Sequence, residues 1–552
     1  MIEQGVRAGS VNGATRSKGM VVCPQPEAAE SGVEILRSGG NAVDAAVACA
    51  FAQTVVDPLM CGIAGFGTAA VYLPGAGVHE YVDFHAPAPL RTRPDMWAHL
   101  LEGEARDGFG FCIKGRLNDL GPQSIAVPGT LAGLKRMHAL HGRLPWQEVL
   151  APAIAWARGG FFVRPSMHAF WIDEPMAGRA SNRERLAYTA AGRQLYCKPD
   201  GSPLPIGAPL RNTDYAGTLE LIAREGAQSF YEGEIARRMV EDLQAQGGLV
   251  SMEDLRAYQP RQTAPLQGRY RDRRITTNQP PGGGAMLLEM LNILEHFDLA
   301  ALGHNSPEYL RVVCEAMKRA TVDKDRHIGD PAFVDVPLER LLSRQHAQEA
   351  ASAIRAGVKV DVPRMNLGGV VPRDTTHLSV VDADGNCVSL THSLGMPSGV
   401  ITPGLGFMYN GCMGVFDPRP GRPGSIEPGK ARFTSSCPSI VFKDGQPEIV
   451  LGAPGGTQIA MGVLQAILNV VDFGMSMQPA VAAPRFSSTS NAIDVSNRIP
   501  RSVTRELEGL GYEVMRNPFG HTIAWVHAIR LSEAGRLDGG ADPGRDGVAY
   551  EA

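Results

Sequence analysis

The clearest pattern of apolar and polar positions lies near the start of the chain. PEAAESGVEILRSGGNAVDAAVACAFAQTVVDP, residues 26–58, reads as a helix, a stop at Gly39-Gly40, and a second helix capped by Asn41. The second helix is apolar on nearly every side, the signature of a helix buried against a sheet. GFGTAAVYLPG then reads as a strand bounded by glycine and proline. Residues 130–260 carry mostly helical patterns, and a further helix is predicted from Met286 to Leu299. Residues 353–374 lose periodicity and predict a long loop. From Thr375 onward the texture turns to strands (HLSVV, CVSLT, SIVFKDGQPEIVLGAP), followed by the helical stretches IAMGVLQAILNVVDFG and SVTRELEGLG. This mixture predicts an α+β or layered αββα fold.

One hairpin sets its own register. In VVDADGNCV, Asp382 and Asn386 can close a three-residue loop with Gly385 in the left-handed position. Thr375 then faces Ser393, and His377 and Ser379 share its face. A slip of one residue would turn every side chain to the other face. Strand propensity alone accounts for two threonines at a strand start. The alternative is a nucleophile: a threonine hydroxyl needs a base, and its own α-amino group serves once the chain is cut before it. Two more segments offer chemistry. Gly455-Gly456, between a strand and a helix start, can aim amide N–H groups at an oxyanion or form a plain tight turn. Thr434, Ser435 and Ser436 place hydroxyls before another strand.

Composition narrows the function. The 552 residues are 44% hydrophobic and 20% charged, with net charge −4. That excludes wholesale disorder and argues against nucleic acid as a partner. The nine cysteines form no C-x-x-C pair, which predicts reduced buried thiols rather than a disulfide framework or a zinc ribbon. MIEQGVRAGSVNGATRSKG lacks a signal-peptide core, and no uncharged apolar run reaches the ~18 residues of a membrane span. The expected location is the cytoplasm, with no membrane partner. His377 and His392 are the nearest histidine pair and H-E-x-x-H is missing, so no metal is expected, nor any cofactor.

With these residues in view the chain resembles the γ-glutamyltranspeptidase (γ-glutamyltransferase) family, from about Gly19 to about Tyr550. EILRSGGNAVDAAVA, VPGTLAGL, FYEGEIA, GGLVSMEDL, NQPPGGGAM, TTHLSVVDADGN, GAPGG, APRFSS and GGADPGRDGVA carry the resemblance in order. It implies a four-layer αββα N-terminal-nucleophile hydrolase, made as a precursor that cuts itself between Asp374 and Thr375. Residues 1–374 would form a large helix-rich subunit and 375–552 a small strand-rich one, associated as a heterodimer; pairing of such heterodimers is left open. The resemblance makes Thr375 the nucleophile, Ser393 its supporting hydroxyl, Gly455 and Gly456 the oxyanion donors, and Thr434 and Ser435 substrate contacts.

The implied activity is cleavage of γ-glutamyl amides such as glutathione through an acyl-threonine. Departures from the family pattern support an alternative. Gly414 and Val415 stand where the family has an acidic pair for the substrate's α-ammonium, and Gly395 stands for an asparagine. The family arginine for the substrate carboxylate falls by ungapped alignment on Pro94, with Arg93 and Arg91 able to take its role. A carboxylate anchor without an ammonium anchor suits small carboxylate mono-amides such as oxamate. A non-catalytic, small-molecule-binding homologue is the remaining expectation.

Overall fold

The computed structural model describes residues 19–175, 178–365, 375–532 and 534–552. Two sheets stack face to face. The first has seven strands in the order 548–551, 19–23, 376–382, 387–393, 66–73, 78–84, 261–263. The second has six, in the order 537–541, 527–531, 446–452, 439–443, 273–277, 266–270. Helices Pro26–Arg37 and Ala42–Val56 cover the outer face of the first sheet. Helices Gly284–Leu294, Pro307–His327, Arg344–Arg355 and Ile459–Val471 form the layer on the second. The result is the expected αββα sandwich. Among the described residues no helix is long and apolar enough to cross a membrane.

The first helix pair forms as its residues dictate. The Asn41 side chain accepts from the N–H groups of Val43 and Asp44, and the Asp44 carboxylate accepts the Asn41 N–H in return. All 15 residues of helix Ala42–Val56 are buried, which is why its pattern shows no polar stripe. Helix Pro307–His327 has 21 residues and was not anticipated, although Ser306 as N-cap and Pro307 at the first position are its sequence signal. The predicted loop at 353–374 begins later than expected, because helix Arg344–Arg355 continues to Arg355.

A buried charge cluster ties loops from distant parts of the chain together. Asp119 is inaccessible to solvent. It accepts from Arg179 at 2.9 Å, Arg185 at 2.8 Å and the Ala180 N–H at 2.7 Å. The two guanidiniums then reach the loops beyond the hairpin: Arg185 donates to Pro397 O at 2.6 Å and Arg179 to Gly414 O at 3.0 Å. Burial pushes the Asp119 carboxyl up, but both guanidiniums and the amide hold it below its usual value. A depressed carboxyl contributes stability above its unfolded pKa and loses it as pH falls through the folded value. Asp119→Asn leaves two buried guanidiniums short of a counter-charge. We expect it to cost ~3 kcal/mol at neutral pH, read as a lowered thermal midpoint whose gap from the parent narrows in acid.

Candidate active site

The central hairpin joins strands Thr376–Asp382 and Cys387–Ser393. Its register pairs Thr376 with His392, His377 with Thr391 and Val381 with Cys387, as the turn chemistry predicted. Gly385 takes φ +78°, and Asp382 N–H closes the loop onto Asn386 O at 3.1 Å. The Asp382 carboxylate accepts the N–H groups of Asp384 and Asn386, the Asn386 amide and the Ala42 N–H. The turn is thereby fixed to the start of the buried helix.

At the open end of this hairpin Thr375 donates its hydroxyl to Ser393 Oγ at 3.0 Å. Ser393 Oγ also accepts the Gly395 N–H at 2.8 Å. Both hydroxyl residues are buried. Thr375 holds φ at +97°, a left-handed conformation that a β-branched residue rarely adopts. Asp374, the other side of the expected cut, lies outside the described residues.

Thr376 points the other way, into the helices, which explains the doubled threonine. Its hydroxyl accepts from Gln25 Nε2 at 3.1 Å and Gln53 Nε2 at 3.0 Å. Gln53 Oε1 accepts from His392 Nε2 at 2.8 Å, and Gln25 donates to Asp57 at 2.8 Å. This buried polar plug fixes the peptide next to Thr375 from behind the sheet. Sequence reading missed it: two glutamines in apolar surroundings were the available signal.

His377 and His392 occupy opposite faces and do not converge. His377 lies between the sheets, with Nδ1 2.8 Å from Thr391 Oγ1 and Nε2 3.1 Å from Ser379 Oγ. Ser379 donates to His527 O at 3.2 Å. Burial drives His377 well below its usual pKa and His392 to about 3, so both are neutral. Across the gap a Cβ at Gly452 would sit 2.3 Å from the His377 ring, so only glycine fits there.

Gly455-Gly456 follow that strand. Leu451 O accepts from Ser389 at 2.8 Å, and Gly452 underlies His377, two residue pairs nearer the hairpin's open end. The chain thus runs toward Thr375 and Ser393 before reaching Gly455 (φ +140°) and Gly456 (φ +56°). A single turn at Gly456–Gln458 then leads into helix Ile459–Val471, and the first N–H groups of such a start lack partners inside it. Thr457 donates to Asp107 at 2.6 Å.

The other expected site residues fall as follows. Thr434 donates its hydroxyl to Ser436 Oγ at 3.0 Å, and Thr434 N–H donates to Pro281 O at 2.9 Å. A Cβ at Gly283 would lie 2.3 Å from Ser435 O, so the glycine turn of NQPPGGGAM clamps this segment closely. Arg91 and Arg93 are exposed, Arg93 facing Asp95 at 3.9 Å. No contact joins either to Thr375, Ser393 or Gly395 among the described residues. Asp417 is buried and already held by Arg419 at 2.7 and 2.8 Å, with Arg422 at 3.6 Å.

One described group has metal-ligand spacing: Glu289, Asp323 and His346, within 4.8 Å of one another in the outer helical layer of the six-stranded sheet. His346 lies 3.0 Å from Asp323 and 3.3 Å from Glu289, and these hydrogen bonds push it up to about 10. Its imidazolium pairs with Asp323, while burial pushes Glu289 up to about 8, so the group is an ion pair with a largely protonated carboxyl beside it.

Comparison with known proteins decides the family. A sequence profile described as Gamma-glutamyltranspeptidase matches residues 28–552. The chain belongs to the γ-glutamyltranspeptidase family. It is 39% identical over 540 residues to Acylase ACY 1 proenzyme of Pseudomonas sp. (strain V22), covering 97% of this chain and 94% of the relative. It is 35% identical over 500 residues to a glutathione hydrolase proenzyme of Pseudomonas sp. (strain A14), covering 87% and 83%. The crystal structure of cephalosporin acylase from Bacillus halodurans superposes with a TM-score of 0.84 at 28% identity, covering 100% of this chain and 98% of that one. The chain is therefore an N-terminal-nucleophile hydrolase of the amidohydrolase and acyltransferase type.

The polar plug makes a specific demand on γ-glutamyltranspeptidase-family packing here. Gln53→Leu would leave His392 Nε2 without its acceptor and take one of two amide donors from Thr376, at ~1–3 kcal/mol for a buried group left unsatisfied. We expect a lower thermal midpoint and faster exchange of the Thr376 amide, read by hydrogen-exchange mass spectrometry; unchanged exchange would show that the plug does not hold this strand.

Proposed function

We propose that this chain is a self-processing amide hydrolase that works through an acyl-Thr375 intermediate on donors carrying no α-ammonium. The Thr375–Ser393 hydrogen bond, at the one rung where a strand start meets a second hydroxyl, is the observation that carries the reading. In processing, Thr375 Oγ attacks the Asp374 carbonyl carbon; the bond to the Thr375 nitrogen breaks, that nitrogen takes the proton, and water hydrolyses the resulting ester. The products are a carboxylate at Asp374 and a free amine on Thr375. In turnover that amine accepts the hydroxyl proton as Oγ attacks the substrate carbonyl. The amide N–H groups of Gly455 and Gly456 receive the oxyanion. The leaving amine takes the proton, and water releases the acid. Cleavage also frees Thr375 from its left-handed φ, strain worth ~1–3 kcal/mol.

The donor preference follows from charge. Gly414, in place of an acid, packs against Arg179, whose Nη1 lies 2.5 Å from where a Cβ would stand. Asp417 is held by its arginines. Asp107 accepts the Phe109 N–H at 3.1 Å and the Thr457 hydroxyl at 2.6 Å. A desolvated ammonium without a carboxylate costs several kcal/mol, and even ~3 kcal/mol lowers affinity by about two orders of magnitude. Mono-amides of dicarboxylic acids, from oxamate upward, are the substrate class that keeps a carboxylate and lacks the amine.

Intact mass of the purified protein should give two fragments, 1–374 and 375–552, and Thr375→Ala should stay whole and inactive; a whole chain with full activity would end the terminal-nucleophile reading. Ser393→Ala should lower kcat more than it raises KM, because its hydrogen bond orients the attacking oxygen. The rate should rise with pH through the α-amine pKa of about 8. Comparison of kcat/KM for γ-glutamyl-p-nitroanilide with that for amine-free carboxylate amides tests the donor. A γ-glutamyl preference abolished by Asp107→Asn or Asp417→Asn would assign the ammonium to that acid and overturn the preference argued here.

A further inference from the structure

Arg432 is buried, only 3% exposed, and its Nε and Nη1 have no hydrogen-bond partner. Its guanidinium carbon lies 4.2 Å from the centroid of the Phe66 ring, and Phe66 pairs with Ser393 in the sheet register. A Cβ at Gly395 would stand 3.6 Å from Arg432 Nη1 and 3.2 Å from Cys412 Sγ. Gly395 N–H donates to Ser393 Oγ, which in turn accepts from Thr375. A fixed positive charge with open donors therefore sits within one residue of the reacting hydroxyls. Among the described residues no carboxylate forms a salt bridge with it. A guanidinium is always charged, and burying it with unmade hydrogen bonds is costly unless something completes them. Phe66 and Cys412 belong to an apolar cluster with Trp97, Met413 and Phe416, and Met396, the residue after Gly395, belongs to a second small one with Ala105, Phe109 and Val415. Gly395 contributes no side chain that could block the approach or share the charge.

We propose that Arg432 anchors the distal carboxylate of a short dicarboxylic acyl group, with the acyl methylenes against Met396, Phe109 and Val415. This rests on the amide-hydrolase reading and deepens it by naming the group that recognises the donor. It assigns to Arg432 the carboxylate contact that the sequence suggested for Arg91 or Arg93. Planar, bidentate donation makes arginine the residue suited to a carboxylate, and the Phe66 face holds the guanidinium plane in place.

The test pairs two donors on the processed enzyme, glutaryl-p-nitroanilide and its neutral methyl ester, with Arg432→Met, Arg432→Lys and the parent. Arg432→Met should lower kcat/KM for the glutaryl donor by about 100-fold, as expected for a lost charged bidentate contact, mostly through KM. The ester should change by less than about threefold, and Arg432→Lys should recover part of the loss. Equal losses on both donors, or none on the glutaryl donor, would overturn the assignment. Calorimetry on the parent enzyme with glutarate and with neutral glutaramide supplies a readout independent of turnover and of the variants' folding. Tighter binding of glutarate supports the anchor, and equal or absent binding overturns it. Hydrolysis of neither donor with glutarate still bound would sink the amide-hydrolase reading and leave the anchor standing.

Discussion

The structure depends on one rung of one hairpin. Thr375 can meet Ser393 only if strands Thr376–Asp382 and Cys387–Ser393 pair in their observed register, because a slip of one residue would send both hydroxyls to opposite faces. Three devices hold the register. The Asp382 carboxylate binds its own turn and the first N–H of the buried helix. The Gln25–Gln53 plug grips Thr376 from the helix side. Five further strands flank the hairpin within its sheet, so neither of its strands is an edge. The reacting end thus inherits its placement from contacts made well away from it.

The space between the sheets divides along the same hairpin. Near the turn it is oily: Met20, Val22, Tyr81, Val381, Cys387, Ile440, Phe442 and Val450 pack there. Toward Thr375 it becomes polar: His377 bridges Thr391 and Ser379, and Ser379 and Ser389 donate across the gap to His527 O and Leu451 O. A polar seam is tolerable only when its groups are neutral and satisfied. The imidazole of His377 meets that condition because burial keeps it deprotonated. It serves as a spacer that bridges two hydroxyls, and the absence of a side chain at Gly452 makes room for it. Sequence reading placed His377 and Ser379 on the face of Thr375 without finding chemistry for them, and the packing supplies their role.

What the sequence made legible is what is decided locally. Turn chemistry gave the hairpin register, the Asn41 cap marked a helix start, and alternation of strand and helix textures gave the layers. What it hid is decided by contacts between distant segments. Arg432 lies 37 positions beyond Gly395 in the chain, and nothing in RFTSS marks its guanidinium as buried. Arg91 and Arg93 drew attention because alignment passes beside them, yet their segment leaves the sheet and both side chains end in solvent. The Gln25–Gln53 plug joins residues 351 and 323 positions from Thr376. Periodicity cannot report such pairings; it registers only that a polar residue sits in an apolar run.

The charges near the site also follow a single logic. Asp119 has two guanidiniums and Asp417 two more, while Asp107 accepts from a hydroxyl and an amide, neutral donors that leave its charge in place. Arg432, beside Gly395, is the cation whose Nε and Nη1 lack partners. On the proposed reading, a buried guanidinium with open donors favours an anion before any shape is considered, since a mispairing leaves a desolvated charge uncompensated. On that reading an added ammonium beside Arg432 would meet repulsion. On that reading attraction and repulsion act on the same end of the donor. The proposed preference rests on Gly395 and Gly414, which place no side chain there, together with Arg432, and so on the set and not on any single position.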